Sequence, residues 1–352
     1  MILTSGYWNL ETPLEVGVGE NVRRNSTLIC TSILAKTVDE MLVQVREAKK
    51  QGVDLVELRL DCLNNFNLHH DLEALLKHTC LPTIVTFRGK GRESAGEENC
   101  GSESNGEVDQ HGNWEGGQYD GDEGMRQSAL HIAMELGADY IDVEYKVADE
   151  FFKSIDDDEK ELTKTTVIVS SHNFVNTPSL DELGGLLASI QAVGADIVNI
   201  ATTAVDITDN ARIMQLLTYS QVPMIGVVMG EKGLMSRILS AKFGGFLTYA
   251  TLECRESVPG LGQSTIKDLL DLYTFRQIGA DTKVLGVLGN PISHSKSPHL
   301  YNAAFKSVGF NGVYLPLLVD SVSDFLETYS SPDFVGYKYI YWTIKGLFDG
   351  SF

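Results

Sequence analysis

The chain has 352 residues, 43% of them hydrophobic, which is enough for one large core or for a full domain and part of another. Its net charge of −20 excludes a nucleic-acid binder, which needs a basic face, and no apolar run approaches the roughly 18 residues of a membrane span. The same acidic field repels a small carboxylate, so a substrate of that kind requires locally placed arginines.

Residues 1–24 read as an N-terminal extension, with several Glu and neither a signal-like nor a transit-like pattern. From there short β-branched runs alternate with amphipathic segments. The runs are TLICTSI (27–33), LVELRLD (55–61), PTIVTFR (82–88), YIDVEY (140–145), TVIVSSHNF (166–174), IVNIATTA (197–204), MIGVVMG (224–230) and FLTYATL (246–252). Between and after them, apolar spacings of three and four predict helices in VDEMLVQVREAKKQG, HDLEALLKHT, MRQSALHIAMELGA, LDELGGLLASIQAVGA, ARIMQLLTYS, LMSRILSAKFG and TIKDLLDLYTFRQIG. Strand–helix alternation means parallel pairing with crossovers, and about eight strands in roughly 250 residues is the arithmetic of a (β/α)8 TIM barrel. An open doubly wound sheet competes, but it wants a glycine-rich first turn that the first strand lacks. The barrel is expected over residues 25–281.

Two stretches depart from this rhythm. Residues 89–113 are polar and acidic without apolar period, and are expected to be a disordered insertion. After residue 282 the pattern restarts with VLGVLGN, PISHSKSP, HLYNAAFKSVG, GVYLPLLV and SVSDFLETYSS. Residues 282–352 therefore read as a partial α/β substrate-binding domain. No G-x-G-x-x-G turn opens a helix anywhere in the chain, so nicotinamide reduction is not expected of it. The five cysteines form no CxxC pair, which points to reduced thiols, and no metal is expected.

A barrel keeps its reactive groups at the C-terminal strand ends. The polar residues there are Glu57 and Arg59, Arg88, Ser171 and His172, and Asn199, with Arg237 and Gln263 in the last two loops. Glu57 and Arg59 share one face, either as a structural ion pair or as part of a site. Three arginines on one rim suit a small organic anion. A histidine in a strand is ordinarily a hydrogen-bonded structural residue; at a barrel mouth His172 also reads as a general acid/base. Asn199 is a polar residue between Val198 and Ile200 in an otherwise buried run, where it is expected to bond to neighbours or water.

The segments VELRLD, TIVTFR, WEGGQYDGDE, DYIDVE, SSHNF, ADIV-x-IATTA and SVPG…Q together resemble the type I 3-dehydroquinate dehydratase family over roughly residues 25–280. GNPISHSKSPHLYNAAF is similar to the start of shikimate dehydrogenase, and the two in this order resemble the plant bifunctional dehydratase–dehydrogenase family. The resemblance implies dehydration of 3-dehydroquinate: a lysine attacks the ketone, the iminium acidifies the neighbouring carbon, and a histidine moves the proton. It assigns His172 as acid/base with Glu115 nearby. Glu57, Arg59 and Arg88 would hold substrate hydroxyls, Arg237 would clamp the carboxylate, and Ser257 and Gln263 would belong to a closing loop. Ser295 and Ser297 would hold the shikimate carboxylate; read alone, they are loop and helix-start serines. It further implies no cofactor for the barrel, NADP for the dehydrogenase half, whose binding domain is not expected here, and a plastid location, to which the non-transit-like residues 1–24 set a cytoplasmic one as the alternative.

Three departures qualify this. The family's Schiff-base lysine falls at Asn199, whose amide nitrogen forms no iminium and whose side chain is several ångströms shorter. Rescue by Lys232 on the same rim is the alternative. Leu261 and Gly262 look like an insertion in the closing loop, and residues 89–113 lengthen the loop that carries Glu115. Lost turnover is therefore expected. The readings left open are a catalytic dehydratase, a dehydroquinate-binding pseudoenzyme and a mis-spliced product without a selected role.

Overall fold

The computed structural model describes residues 25–90, 117–155, 163–252 and 263–339. Eight parallel strands run in the order β7-β6-β5-β4-β3-β2-β1-β8. They are β1 (Leu28–Ile33), β2 (Leu55–Arg59), β3 (Thr83–Thr86), β4 (Tyr140–Glu144), β5 (Thr166–His172), β6 (Ile197–Thr203), β7 (Met224–Met229) and β8 (Leu247–Tyr249). The ring closes where the Phe246 N–H donates to the Met224 carbonyl at 2.7 Å. This is the predicted (β/α)8 barrel. The helices are α1 (Val38–Gln51), α2 (Leu68–His78), α3 (Glu123–Glu135), α4 (Tyr145–Ser154), α5 (Leu180–Ala192), α6 (Asp209–Tyr219) and α7 (Leu234–Ile238).

Strand parity explains the core. Cys30, Leu55, Ile84, Ile168, Ile197, Ile225 and Leu247 pack inside the barrel. Their chain neighbours Ile29, Val56, Val85, Val167, Val198 and Met224 pack outward against the helices. Both faces are buried, which is why the strands read as continuous apolar runs.

A repeated Gly-x-Asp registers alternate strands. Asp54, Asp139 and Asp196 each precede a strand and accept the N–H of Ile29 (2.7 Å), Thr83 (3.0 Å) and Val167 (2.9 Å) on the strand before it. The glycines Gly52, Gly137 and Gly194 all have positive φ, ending the preceding helix where an L side chain would be strained.

Two predicted helices come out differently. LMSRILSAKFG is the short α7 followed by a 3-10 turn at Ser240–Phe243. Inside it, the Ser236 hydroxyl bonds to the Val228 N–H at 2.9 Å and the Gly233 carbonyl at 2.8 Å, diverting local backbone groups. TIKDLLDLYTFRQIG winds as a π-turn at Asp268–Leu272 and a 3-10 turn at Phe275–Gln277. Helix α4 was not predicted; it begins at the residue after β4, leaving no loop signal to mark it.

The restarted pattern forms a second, three-stranded parallel sheet in the order β10-β9-β11, from β9 (Lys283–Gly289), β10 (Gly312–Leu318) and β11 (Phe334–Tyr339). Helices α8 (Ser297–Val308) and α9 (Val322–Thr328) accompany it. It is tied to the barrel by Lys242, which donates to Asp333 at 2.9 Å, and by the Tyr329 hydroxyl on the Ile207 carbonyl at 2.8 Å. Of the insertion at 89–113, Gly89 forms a β-bridge with Tyr119, and the Lys90 N–H donates to the Tyr119 carbonyl at 2.6 Å; the rest lies outside the described residues.

Candidate active site

The inward parity that builds the barrel core also gathers the polar residues. Ser32, Glu57, Thr86, Asp142, Ser170, His172, Asn199 and Tyr249 share the register positions of the interior aliphatics on their strands. Apolar residues fill the N-terminal part of the barrel and polar ones the C-terminal part. The site is thus the top of the core, with side chains exchanged for groups that can bind.

Glu57 is buried and accepts from the Thr86 hydroxyl at 2.9 Å and from Ser32 Oγ. Arg59 does not pair with Glu57. Its fork grips Asp61, with Nε and Nη2 each at 2.9 Å, and Asp61 also accepts the Gln118 N–H at 3.0 Å. Burial disfavours the Arg59 charge, but Asp61 outweighs it and the pKa goes up. Gly117 sits against the Gly89 and Arg88 carbonyls so closely that a β-carbon would meet them at 2.3 and 2.5 Å. Glycine is required there for the returning chain to reach Asp61.

Arg88 is the centre of the constellation. Its guanidinium reaches Asp142 at 2.5 Å, His172 Nε2 at 3.2 Å and Ser170 Oγ at 3.4 Å. Arginine only donates, so Nε2 is the acceptor and the His172 proton sits on Nδ1. Burial, then Arg88, then Arg59 push the His172 pKa well down. The imidazole is neutral, as a base must be. Burial raises the Asp142 carboxyl while Arg88 pulls against it, and its Oδ1 has no hydrogen-bond partner among the described residues. On β8, burial followed by Glu57 and Cys30 pushes the Tyr249 hydroxyl well above its usual range.

Asn199 pairs in register with Ser170 and Ile225 and is 4% exposed. Its carboxamide makes no hydrogen bond to another side chain or backbone group among the described residues, and it is not among the fully buried polar side chains left without a partner, which leaves water in the barrel mouth as the partner the sequence reading allowed. Lys232 is turned away from the interior: its ammonium donates to the Val205 carbonyl at 2.7 Å and bonds to Asp320 of the second unit. Arg237 is buried on α7, and its carbonyl accepts from Thr248 at 3.0 Å. Gln263 stands just before Thr265, which bridges Thr251 beyond β8. Glu115, Ser257, Leu261 and Gly262 lie outside the described residues. Ser295 is on the loop after β9 and Ser297 opens α8, in the second unit, where Ser295 Oγ accepts the Ser297 N–H at 3.3 Å. Among the described residues no cluster of His, Cys, Asp or Glu could hold a metal, and no helix is long and apolar enough to cross a membrane.

Sequence reasoning missed Ser32, Thr86, Asp142, Ser170 and Tyr249. The signal was present for Asp142: it stands between Ile141 and Val143 as Asn199 stands between Val198 and Ile200.

Comparison with known proteins places these features. Residues 29–280 match the family model for type I 3-dehydroquinase, and residues 287–339 match that for the shikimate dehydrogenase substrate binding domain. A bifunctional 3-dehydroquinate dehydratase/shikimate dehydrogenase, chloroplastic, from Arabidopsis thaliana is 53% identical over 93% of this chain; the chain spans 50% of that protein's length. A 3-dehydroquinate dehydratase from Methanococcus vannielii is 31% identical, matching 70% of this chain and 99% of its own. Among solved structures, type I 3-dehydroquinate dehydratase from Clostridium difficile has a TM-score of 0.54 at 23% identity, covering 70% of this chain and 90% of its own. A dehydroquinate dehydratase and shikimate dehydrogenase from S. pombe has a TM-score of 0.50 at 21% identity, covering 91% of this chain and 57% of its own. These last two likenesses are of fold.

Proposed function

This chain belongs to the type I 3-dehydroquinase family, with a shikimate dehydrogenase substrate-binding segment following the barrel, and from that premise we propose that the barrel holds a dehydroquinate-like cyclic carboxylate without turning it over through a Schiff base. The observation that carries this is the inward, buried carboxamide of Asn199 where the family resemblance puts the lysine. An amide nitrogen has its lone pair delocalised into the carbonyl and does not condense with a ketone. Deleting a covalent nucleophile lowers kcat by about 10⁴–10⁶.

The rest of the machinery supports binding. Arg88 and Arg59 supply cationic donors, and Glu57 an acceptor for hydroxyls, with Arg237, Ser257 and Gln263 carried over from the resemblance. His172 is neutral and hydrogen-bonded by Arg88, and Glu115 would stand near it. With no iminium, the carbon beside the ketone keeps only the weaker acidification of a neutral carbonyl, and a neutral imidazole is a poor match for so weak an acid. Lys232, held by Val205 and Asp320, is engaged elsewhere.

We place the boundary between the barrel and the second unit at residues 281/282. Ser295 and Ser297 would offer hydroxyls to a shikimate-type carboxylate there. The family resemblance associates that half with NADP; the segment matched here is the substrate-binding one. The chloroplastic description of the Arabidopsis relative supports a plastid location.

The test is release of the conjugated enone from 3-dehydroquinate by the purified chain and by Asn199→Lys. The unmodified chain is expected to release none above buffer, and the variant to gain activity. Turnover by the unmodified chain would contradict the proposal.

A further inference from the structure

Asn199 is almost fully buried, faces the barrel interior and has no hydrogen-bond partner among the described residues. Its amide is not among the fully buried polar groups without a partner, so its nitrogen and oxygen reach the open mouth of the barrel, where they offer both a donor and an acceptor to whatever enters. Its strand neighbour across the sheet is Ser170, and His172 stands two residues further toward the mouth, about 6–7 Å higher at a strand's rise.

The direction from which residue 199 meets a ligand decides what it can bind. An amine adds to a ketone through the face of the carbonyl, so a ring seated for that attack turns the carbonyl face toward β6. The ketone oxygen then lies in the ring plane, pointing sideways. A carboxamide in this position meets a carbon atom, with which it makes no hydrogen bond. A tetrahedral carbon at the same place can project a hydroxyl out of the ring plane, straight at Asn199. That hydroxyl can donate to Oδ1 while accepting from a second group. The extra C–O bond and a hydrogen bond of about 2.8 Å also span the gap left by a side chain shorter than lysine.

We propose that this site selects the alcohol over the ketone: its ligand class is a polyhydroxylated cyclohexane carboxylate bearing a hydroxyl at the carbon that is a ketone in 3-dehydroquinate, in the one configuration that faces β6. The inference rests on the non-covalent reading above and deepens it. Three features act together: the inward parity of Asn199, the unpaired carboxamide, and the surrounding donors on Arg88 and Ser170.

The test is calorimetric titration of the full chain with 3-dehydroquinate and, separately, with the two alcohols formed by reducing its ketone, quinate and its epimer at that carbon. One epimer is expected to bind about tenfold tighter than the ketone and the other epimer. In Asn199→Leu, close in volume and without polar atoms, that advantage is expected to disappear while all three ligands still bind. Equal affinities of the epimers, or tightest binding of the ketone, would overturn the inference and leave non-covalent binding standing. An advantage that survives in Asn199→Leu, checked for an unchanged fold by circular dichroism, would overturn it too. Binding of none of the three would overturn both the inference and the functional reading.

Discussion

The Arg88–Asp142 pair concentrates the physics of the site in two residues. Both are buried, and the 2.5 Å contact compensates two desolvated charges. Removing one partner leaves the other uncompensated. Asp142→Ala is expected to destabilise the fold by about 3–5 kcal/mol in urea denaturation. His172 gives the pH dependence. Its folded pKa is depressed, so the unfolded chain takes up the proton first. That contribution to stability is complete above about pH 6.5 and is lost as pH falls below it, by up to about 1.4 kcal/mol per pH unit until the folded value is reached. His172→Gln is expected to flatten stability against pH in that window; an unchanged slope would show the imidazole to be solvated. At this scale the sequence was legible at Asn199, where a polar residue interrupts an aliphatic run, and at His172, which ends its strand at the barrel mouth; Asp142, between Ile141 and Val143, carried the same signal as Asn199 and was passed over. It was not legible for Ser170 or Thr86, because hydroxyl residues are ordinary in strands and only the register reveals which face they occupy. Nor was the partner of Arg59: Asp61 lies in the turn after β2, and two residues of spacing do not say which way a guanidinium folds.

Elements were legible wherever both faces of a strand are buried or a helix has a clear end. Helix α5 is an example: Ser179 and Glu182 form a capping box, the hydroxyl accepting the Glu182 N–H at 3.3 Å and the carboxylate accepting the Ser179 N–H at 2.9 Å. Ser179→Ala is expected to cost about 1 kcal/mol in the same denaturation assay. The Gly-x-Asp repeats before β2, β4 and β6 were readable but unread. Each binds one strand to the next within its first two residues, which fixes the register that aims the interior side chains. The segment after β8 misled because its apolar spacing fits an α-helix, whereas the Tyr273 N–H reaches back five residues to Asp268 at 2.9 Å. A single helical period cannot distinguish these windings.

At the scale of the molecule, the barrel and the second sheet are joined by charge as well as packing. Lys242 is buried and bonds to Asp333, which also takes Lys283 at 2.8 Å. Burial raises the Asp333 pKa, but bonds from Lys283 and Lys242 outweigh it and hold the carboxyl below its usual range. Asp333→Ala is expected to destabilise the chain by about 3 kcal/mol and to broaden thermal unfolding as the two units uncouple. An unchanged melting profile would show the contact to be incidental. No feature of sequence pattern announced this pairing, since Lys242 and Asp333 are 91 positions apart.

The central claim is that no covalent bond forms between this chain and a keto acid. The direct measurement is the intact mass of the unmodified protein after incubation with 3-dehydroquinate and borohydride, with Asn199→Lys treated alongside. The account predicts an unchanged mass for the chain as it stands and a reduced adduct on the lysine variant; an adduct on the unmodified chain, mapped to any residue of the barrel mouth, would contradict it.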